Sequence, residues 1–462
     1  MLDLEARDYG RLVAWESDQG TVRLPAVAHV HTTRHPAPGF ASLVLGRERH
    51  AKLPTIQVQG TIFTPRTPKD PDEALPQGLI YPGAAGSSLQ EAADDVNAPG
   101  GTFQLANRPE ALADGPGMAV LVGARFVAND PWRLPAYLVE ARRRAGPNPV
   151  LFLPGIGRPD QMALAAYCGV DIFDGLVPVI EAKKGQLLTP EGPLPRAEVT
   201  EDIGGSPAAF EAMDEGWTSE RLLRHNQWVA EAEARRIRMA LEHGTLRELV
   251  EQRVHAAPEH LAVLRRLDQD HRAWFEQQAP ILRERGMPIL SRESLGRPEI
   301  HRWVERLETR YTPPRTGRVL VVLPCSATKP YENSPTHSRM RAQINKHGKG
   351  VTHVVTLTSP LGGVPEELEH AYPAAHYDIP VTGSWYPEEV DLVERAFQAI
   401  HKAGQYDAVI HHGPREEGDL LEALFPDMVR TVPDGGHPTD GRALSQLADA
   451  VVEAARPHES VP

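Results

Sequence analysis

The sequence predicts an α/β protein with two separate α/β regions and a helical stretch between them. Three observations carry this. From position 149 the chain reads PVLFLPGIG, RPDQMALAAYCG, VDIFDGLVP, a strand–helix–strand unit whose two strands must run parallel in one sheet. From 219 to about 310 helical patterns dominate. After 311–317 (YTPPRTG), where prolines stop the helix and mark a domain boundary, strands and helices alternate to the end.

Composition sets the bounds. With 462 residues the chain has room for two or three domains, and 41% hydrophobic and 24% charged residues are ordinary for a soluble globular chain. The start, MLDLEARDYG, has no basic region followed by an apolar run, and no stretch reaches the ~18 apolar residues of a membrane helix. Neither a signal peptide nor a span is expected, and a cytoplasmic location follows. Two cysteines, Cys168 and Cys325, exclude a disulfide framework and a cysteine-rich zinc site. The formal charge of −13 argues against a general nucleic-acid binder, because phosphate contact needs clustered Lys and Arg. Any RNA-binding face has to be local.

In chain order, apolar runs at 26–30, 41–45, 56–63, 78–81 and 118–122 read as strands joined by long polar loops, with 64–77 an exposed connection. Arg142-Arg143-Arg144 closes a helical pattern as a solvated helix end, with phosphate contact as the alternative. Asp174 ends the second strand of the βαβ unit, where it is either catalytic or a cap of the turn with Gly175. Arg235, Arg236, Arg238, Arg265 and Arg266 lie on helix faces and are read as solvated.

In the last region, strands fall at 318–323, 353–357, 408–410 and 428–432, with helices near 334–346, 387–403, 418–425 and 442–455. Each strand leads into a polar or glycine-rich loop: CSATKPY, TSPLGGVPEE, HHGPRE and PDGGHPTD. Convergence of such loops on one sheet edge is what a small-molecule site in a doubly wound sheet requires. They offer Ser359, Glu366, His411, His412, Asp434, His437 and Asp440. Adjacent residues leaving a strand point apart, so the two histidines do not suggest a metal site, and no metal or cofactor is expected.

The first of these loops holds the densest chemistry. The apolar run 318–323 suits a strand buried on both faces, and Pro324 cannot continue its ladder, so Cys325 sits at the strand's carboxyl end. Lys329, Tyr331, Ser334 and His337 follow within a few residues. Ser334-Pro335 reads as an N-cap with proline at the first helical position, which puts His337 in the helix's first turn. A nearby ammonium and a helix N-terminus favour thiolate over thiol. Against this, a lone cysteine after a strand also occurs as a small buried hydrophobe, and Ser334 need only cap.

The string Pro324-Cys325-x3-Lys329-Pro330-Tyr331-x2-Ser334-x2-His337 matches the signature of the archaeosine synthase family, which resembles archaeal tRNA-guanine transglycosylase. The segment 155–192, GIGRPDQMALAAYCGVDIFDGLVPVIEAKKGQLLTPEG, is similar to the late-barrel part of the transglycosylases, and Asp174 falls where that family keeps its catalytic aspartate. The resemblance implies a degenerate TIM-barrel-like domain over 1–216, a helical extension over 217–310 and a smaller parallel α/β domain over 318–462. Two departures suggest a barrel kept for scaffolding or recognition. The stretch LIYPGAAGSSLQ keeps the glycines of the substrate segment without its acid, and the cysteine–histidine zinc site is missing.

The resemblance further implies a transferase. It adds an amine, from lysine or derived from glutamine, to the nitrile of 7-cyano-7-deazaguanine in the D-arm of tRNA, on the way to archaeosine. Nitrile chemistry then makes Cys325 the nucleophile, with a thioimidate that the amine displaces. Lys329 lowers the thiol pKa, His337 shuttles the proton, Tyr331 stacks on the base or donates to it, and Ser334 completes the catalytic set. Ser359, Glu366, His411, Asp434, Asp440 and Asp174 are the substrate-binding candidates. No RNA-binding PUA module is found before Pro462, so Arg339, Arg341 and Lys346 are the expected RNA contacts, with a radical SAM enzyme as a partner. Base exchange in tRNA, a deazaguanine DNA-modifying activity and a non-catalytic RNA-binding subunit are the alternatives.

Overall fold

A computed structural model describes residues 2–32, 36–46, 48–58, 96–97, 103–106, 108–201, 205–283, 285–348, 350–380 and 383–456. It forms two compact units, 1–280 and 281–462. The loop 64–77, the strand expected at 78–81 and the LIYPGAAGSSLQ stretch lie outside the described residues.

Unit 1 opens with a three-stranded antiparallel sheet, β1 (Leu2–Asp8), β2 (Gly10–Ser17) and β3 (Gly20–Leu24), in a stretch where the sequence suggests no strand. Eight strands follow: β4 (Ala26–His31), β5 (Leu43–Gly46), β6 (Thr55–Val58), β7 (Val96–Asn97), β8 (Phe103–Ala106), β9 (Met118–Leu121), β10 (Val150–Phe152) and β11 (Ile172–Asp174). Their order is β7-β6-β5-β4-β11-β10-β9-β8, with every neighbour parallel except β6 and β7. The last parallel strand pairs with the first, Ile172 opposite Ala26, as in a (β/α) barrel that closes on itself. The described half-barrel ends at β7 and β8, on either side of residues outside the description. A hairpin of β12 (Gln186–Thr189) and β13 (Gly192–Pro195) follows.

Strand alternation divides this unit's core. Val27, Ala119, Leu151 and Phe173 pack with residues of the helices Leu134–Ala145, Pro159–Tyr167 and Ser219–Glu242. Ala26, Ala28, Met118, Val120, Val150, Phe152 and Ile172 face the other way, onto Val13, Trp15, Val22 and Leu24 of the opening sheet. Arg142 is not a solvated helix end. It and Arg11 share the buried carboxylate of Asp171, at 2.6 and 2.7 Å, which also accepts from the Leu151 amide at 2.7 Å. Burial works to raise the Asp171 pKa, but the two guanidiniums win and hold it below the usual carboxylate range.

Unit 2 contains β14 (Met287–Pro288), β15 (Val319–Pro324), β16 (Thr352–Thr358), β17 (Gly362–Pro365), β18 (Tyr377–Asp378), β19 (Ala408–His411) and β20 (Val429–Arg430). Five make one sheet in the order β17-β16-β15-β19-β20, parallel except for β17 at the edge. The expected two-sided burial of β15 holds. Val319, Val321 and Leu323 meet Met340, Ile344, Leu447 and Val451, while Leu320 and Val322 meet Val393, Phe397, Ile400 and Leu421.

Two features of this unit differ from the sequence reading. β17 replaces part of the loop expected after β16, because Gly362 and Gly363 are there for packing: Gly362 has φ +71°, and a Cβ on it would lie 2.2 Å from the Leu392 carbonyl. The proline-rich segment 311–317 ends a helix without separating domains. Trp303 and Leu307 of the preceding helix, Pro298–Thr309, pack with Leu361, Val364 and Leu392, and the Trp303 indole donates to Gly363 O at 3.0 Å. The division at 280/281 therefore keeps that helix with the second sheet. Among the described residues no helix is long and apolar enough to cross a membrane.

Candidate active site

From β15 the chain crosses through the Pro335–Gly348 helix to β16 on one side, and later returns to β19 on the other. The strand order thus reverses at β15, and ligands in open α/β sheets bind at the carboxyl end of such a switch. Cys325 is the first residue beyond it. It lines a cavity of about 310 Å³ together with Ser359, Trp385, Tyr386, Glu389 and Glu417, with Ile289, Leu295 and Ile379 as apolar wall. That volume is at the small end of the ~300–1,000 Å³ usual for small-molecule sites.

The Cys325 thiol interacts with the Thr358 side chain, and its pKa is raised. Burial is the largest cause and the Glu417 carboxylate adds to it, against smaller opposing effects of Lys329 and Thr358. The resting group is therefore a thiol, not the thiolate that a neighbouring ammonium suggests in the sequence. Burial also lowers the Lys329 pKa, and its Nζ lies 4.2 Å from the centre of the Tyr377 ring.

Most of the signature turns out to hold the loop rather than line the cavity. Tyr331 is fully buried, so it does not stack on a base in the cavity. Its hydroxyl bonds that of Tyr377, which bonds Thr358 Oγ1 at 2.5 Å. His337 is also fully buried, stacked on Tyr331 at 4.8 Å, and its Nε2 donates to Pro324 O at 2.9 Å. Burial drives its pKa down to about 4, so it rests as a neutral ring that pins the strand end, with Nδ1 buried and without a hydrogen-bond partner. Ser334 Oγ bonds Ser326 Oγ at 2.8 Å and Thr336 Oγ1 at 2.7 Å, which ties the residue after Cys325 to the helix start.

The loop candidates divide. Ser359 is in the cavity, where its hydroxyl donates to Glu389. Glu366, His411, Asp434 and Asp440 are not among its walls. Asp434 is exposed and pairs with Arg415 at 3.1 Å. Asp440 accepts from the His437 amide at 2.9 Å. His411 is buried, with its pKa pushed down to about 4. His412 is spent on Thr431 and Pro438. Asp174 belongs to unit 1, where Oδ2 accepts from Gly155 N at 2.8 Å and Oδ1 from Leu176 N at 2.9 Å. Burial nevertheless raises its pKa to about 6.

Of the proposed RNA contacts, Arg339 and Lys346 are exposed, but Arg341 forms a two-pronged pair with the buried Glu369 at 3.0 and 2.6 Å. Glu369 also sits with Glu332 and His370 in a group of metal-ligand type. Its commitment to Arg341 leaves that group only exposed donors.

Sequence reasoning missed Glu389, Glu417 and Trp385. Glu389 is buried in the first turn of the Pro387–Ala403 helix, where it also accepts from the Tyr386 amide at 2.6 Å. Glu417 follows β19, in HHGPREE, one residue past the loop singled out above. Its Oε2 is buried without a hydrogen-bond partner, and burial, with Glu416 adding, raises its pKa to about 8.

Residues 134–259 match a family model described as queuine tRNA-ribosyltransferase, and residues 300–451 match one described as a domain of unknown function, DUF5591. The archaeosine synthase subunit alpha of Methanosarcina acetivorans is 33% identical over 300 residues, 63% of this chain and 48% of the relative. The archaeosine synthase of Haloferax volcanii is 32% identical over 316 residues, 67% of this chain and 52% of the relative. The chain belongs to the archaeosine synthase family. A tRNA-guanine(15) transglycosylase of Methanothermobacter thermautotrophicus is 30% identical over 237 residues, 49% of this chain and 35% of that enzyme. The chain spans about half the length of the archaeosine synthases it matches.

Proposed function

We propose that this chain adds an amine to the nitrile of 7-cyano-7-deazaguanine carried by tRNA, through a thioimidate on Cys325, on the way to archaeosine. The carrying observation is a thiol at the switch point of unit 2, facing a cavity of small-molecule size that also has an indole, Trp385, and two acidic side chains. The names of the relatives supply the pathway; the thiol and the cavity supply the chemistry. A thiol adds to the nitrile carbon, and the amine then displaces sulfur to leave an amidine, so one hard addition becomes two easier ones.

Lysine is the favoured donor. The acid Glu389 lines the cavity, with no Lys or Arg among the described wall residues, which suits an ammonium end and leaves the α-carboxylate outside. Mass spectrometry of tRNA bearing the nitrile base, incubated with this protein and lysine, glutamine or ammonium in turn, tests this. A mass gain of one lysine is expected. An unchanged mass with all three donors overturns the proposal. Relatives named as an alpha subunit suit a further subunit, and a radical SAM enzyme that cleaves the lysine adduct is the partner proposed.

The barrel-like unit is assigned to scaffolding or tRNA recognition. Asp174→Asn should leave amine addition within a few-fold of wild type, because both carboxylate oxygens already hold backbone amides. It should lower stability instead, by roughly 1–3 kcal/mol, since one amide loses its acceptor. Loss of amine addition in a folded variant would return Asp174 to the chemistry.

RNA phosphates are assigned to Arg339 and Lys346. Replacing both with glutamine should weaken tRNA binding and flatten the log–log salt dependence by about one unit per lost contact. An unchanged slope would move the RNA footprint elsewhere. Arg341→Gln should show as lower stability, because it strands a buried Glu369.

A further inference from the structure

We propose that Glu417 is the proton carrier of the amine-addition site, passing protons between Cys325 sulfur and the reacting nitrogens. This rests on the covalent reading above and deepens it. The geometry is a carboxyl and a thiol on the wall of one cavity, brought from the ends of adjacent strands, β15 and β19, that pair in register from Val319 opposite Ala408 to Val322 opposite His411. Glu417 Oε2 is buried and has no hydrogen-bond partner, and a buried polar atom left unpaired calls for an explanation in function or strain.

The candidates expected from the sequence do not fill this role. His337 spends its only N–H on a carbonyl, and Lys329 lies over the Tyr377 ring. The charged and titratable groups around Glu417 are few. Glu416 precedes it, His411 approaches from β19 with Arg430 beyond it, Cys325 faces it from β15, and Glu389 lies on the same cavity wall. His411 Nε2 and Glu417 Oε2 both come within 3.0 Å of where a Cβ on Gly413 would stand, so only glycine leaves both groups undisturbed there. Among the described residues no guanidinium or ammonium pairs with the carboxyl, and it stays protonated up to about pH 8.

A protonated carboxyl can give a proton from one oxygen while taking one at the other. In the first step the C–S bond forms and one π bond of the nitrile breaks; Glu417 gives its proton to the nitrile nitrogen and takes the thiol's. In the second step the amine nitrogen bonds to the same carbon and the C–S bond breaks; Glu417 gives its proton to the departing sulfur and takes one from the attacking nitrogen. The carboxyl ends each step as it began, and no oxidant, reductant or metal is consumed.

Two measurements test the role. In the first, amine addition is followed against pH in wild type, Glu417→Gln and Glu417→Asp. Wild type should lose rate above about pH 8 as the carboxyl ionises. The glutamine variant should be slower by about 10²–10⁴-fold, the usual range for a lost general acid–base group, and should lack that alkaline loss. The aspartate variant should recover part of the rate. A glutamine variant within a few-fold of wild type overturns the proposal.

The second measurement needs no substrate. Alkylation of Cys325 by iodoacetamide, read by intact mass against pH, reports the thiol's ionisation, because Cys168 is fully buried. Removing the carboxylate should move the Cys325 profile to lower pH. An unmoved profile overturns the coupling even if the nitrile reaction itself proves mistaken. A moved profile with no nitrile turnover in wild type would instead count against the reaction assigned to the site.

Discussion

Cys325→Ala should abolish conversion of the tRNA-borne nitrile while leaving unit 2 folded. Cys325 is half-buried beyond the central strand, and its sulfur removes little core volume when truncated, so the change in stability should stay within about 1–2 kcal/mol. The chemical loss is of another order. Without sulfur the amine has to attack the nitrile directly, and the whole benefit of splitting the addition is lost. The check is single-turnover mass spectrometry with excess protein. Wild type should pass through a protein–RNA adduct joined at Cys325, and the variant should show neither adduct nor amidine. Product at the wild-type rate in the variant would end the covalent mechanism and leave the cavity as a site for direct addition.

The second large effect is structural. Asp171→Ala should lower the stability of unit 1 by roughly 3–5 kcal/mol, because it leaves the guanidiniums of Arg11 and Arg142 partly buried around an absent charge. The Leu151 amide loses its acceptor as well. The pH dependence follows from the direction of the shift. A carboxylate held below its unfolded pKa adds stability above the ordinary carboxylate range, and that contribution is lost as pH falls through the folded value. Wild type should therefore lose stability in acid more steeply than the alanine variant. Urea titration at pH 7 and at about pH 2.5, below the ordinary carboxylate pKa of about 3.9, measures both effects, and a variant with wild-type midpoints would show that the arginines find other anions.

Much of unit 2 was legible in the sequence because its signals are local. A short β-branched run between a glycine and a proline suits a strand buried on both faces, and the helix starting at Ser334-Pro335 begins where capping requires. The thiol's place at the strand end followed from Pro324 alone. What stayed hidden depends on partners distant in the chain. Tyr331 and His337 look chemical in the sequence, yet the Tyr331 hydroxyl is taken by Tyr377 and the His337 N–H by Pro324 O.

Arg341 looks like a free cation until Glu369, twenty-eight positions on, takes both prongs of its guanidinium. Glu417 reaches the thiol only because β19 pairs with β15, a pairing that no window of sequence contains. In unit 1 the opening sheet was missed for a related reason: β1 reads LDLEARD, whose charges resemble a solvated start, and its strand character comes from pairing with β2.

The position of β15 also governs how the site can move. Its backbone is paired on both sides, to β16 over its whole length and to β19 over Val319–Val322, and both its faces are covered by helices. Amides in such a strand exchange with solvent only when most of the surrounding unit opens, so they should be among the slowest in hydrogen–deuterium exchange. Cys325 hangs from the end of that strand and is the fixed point of the site. A substrate entering the cavity has to travel to the thiol, because the stiffest part of the sheet holds the thiol where it is.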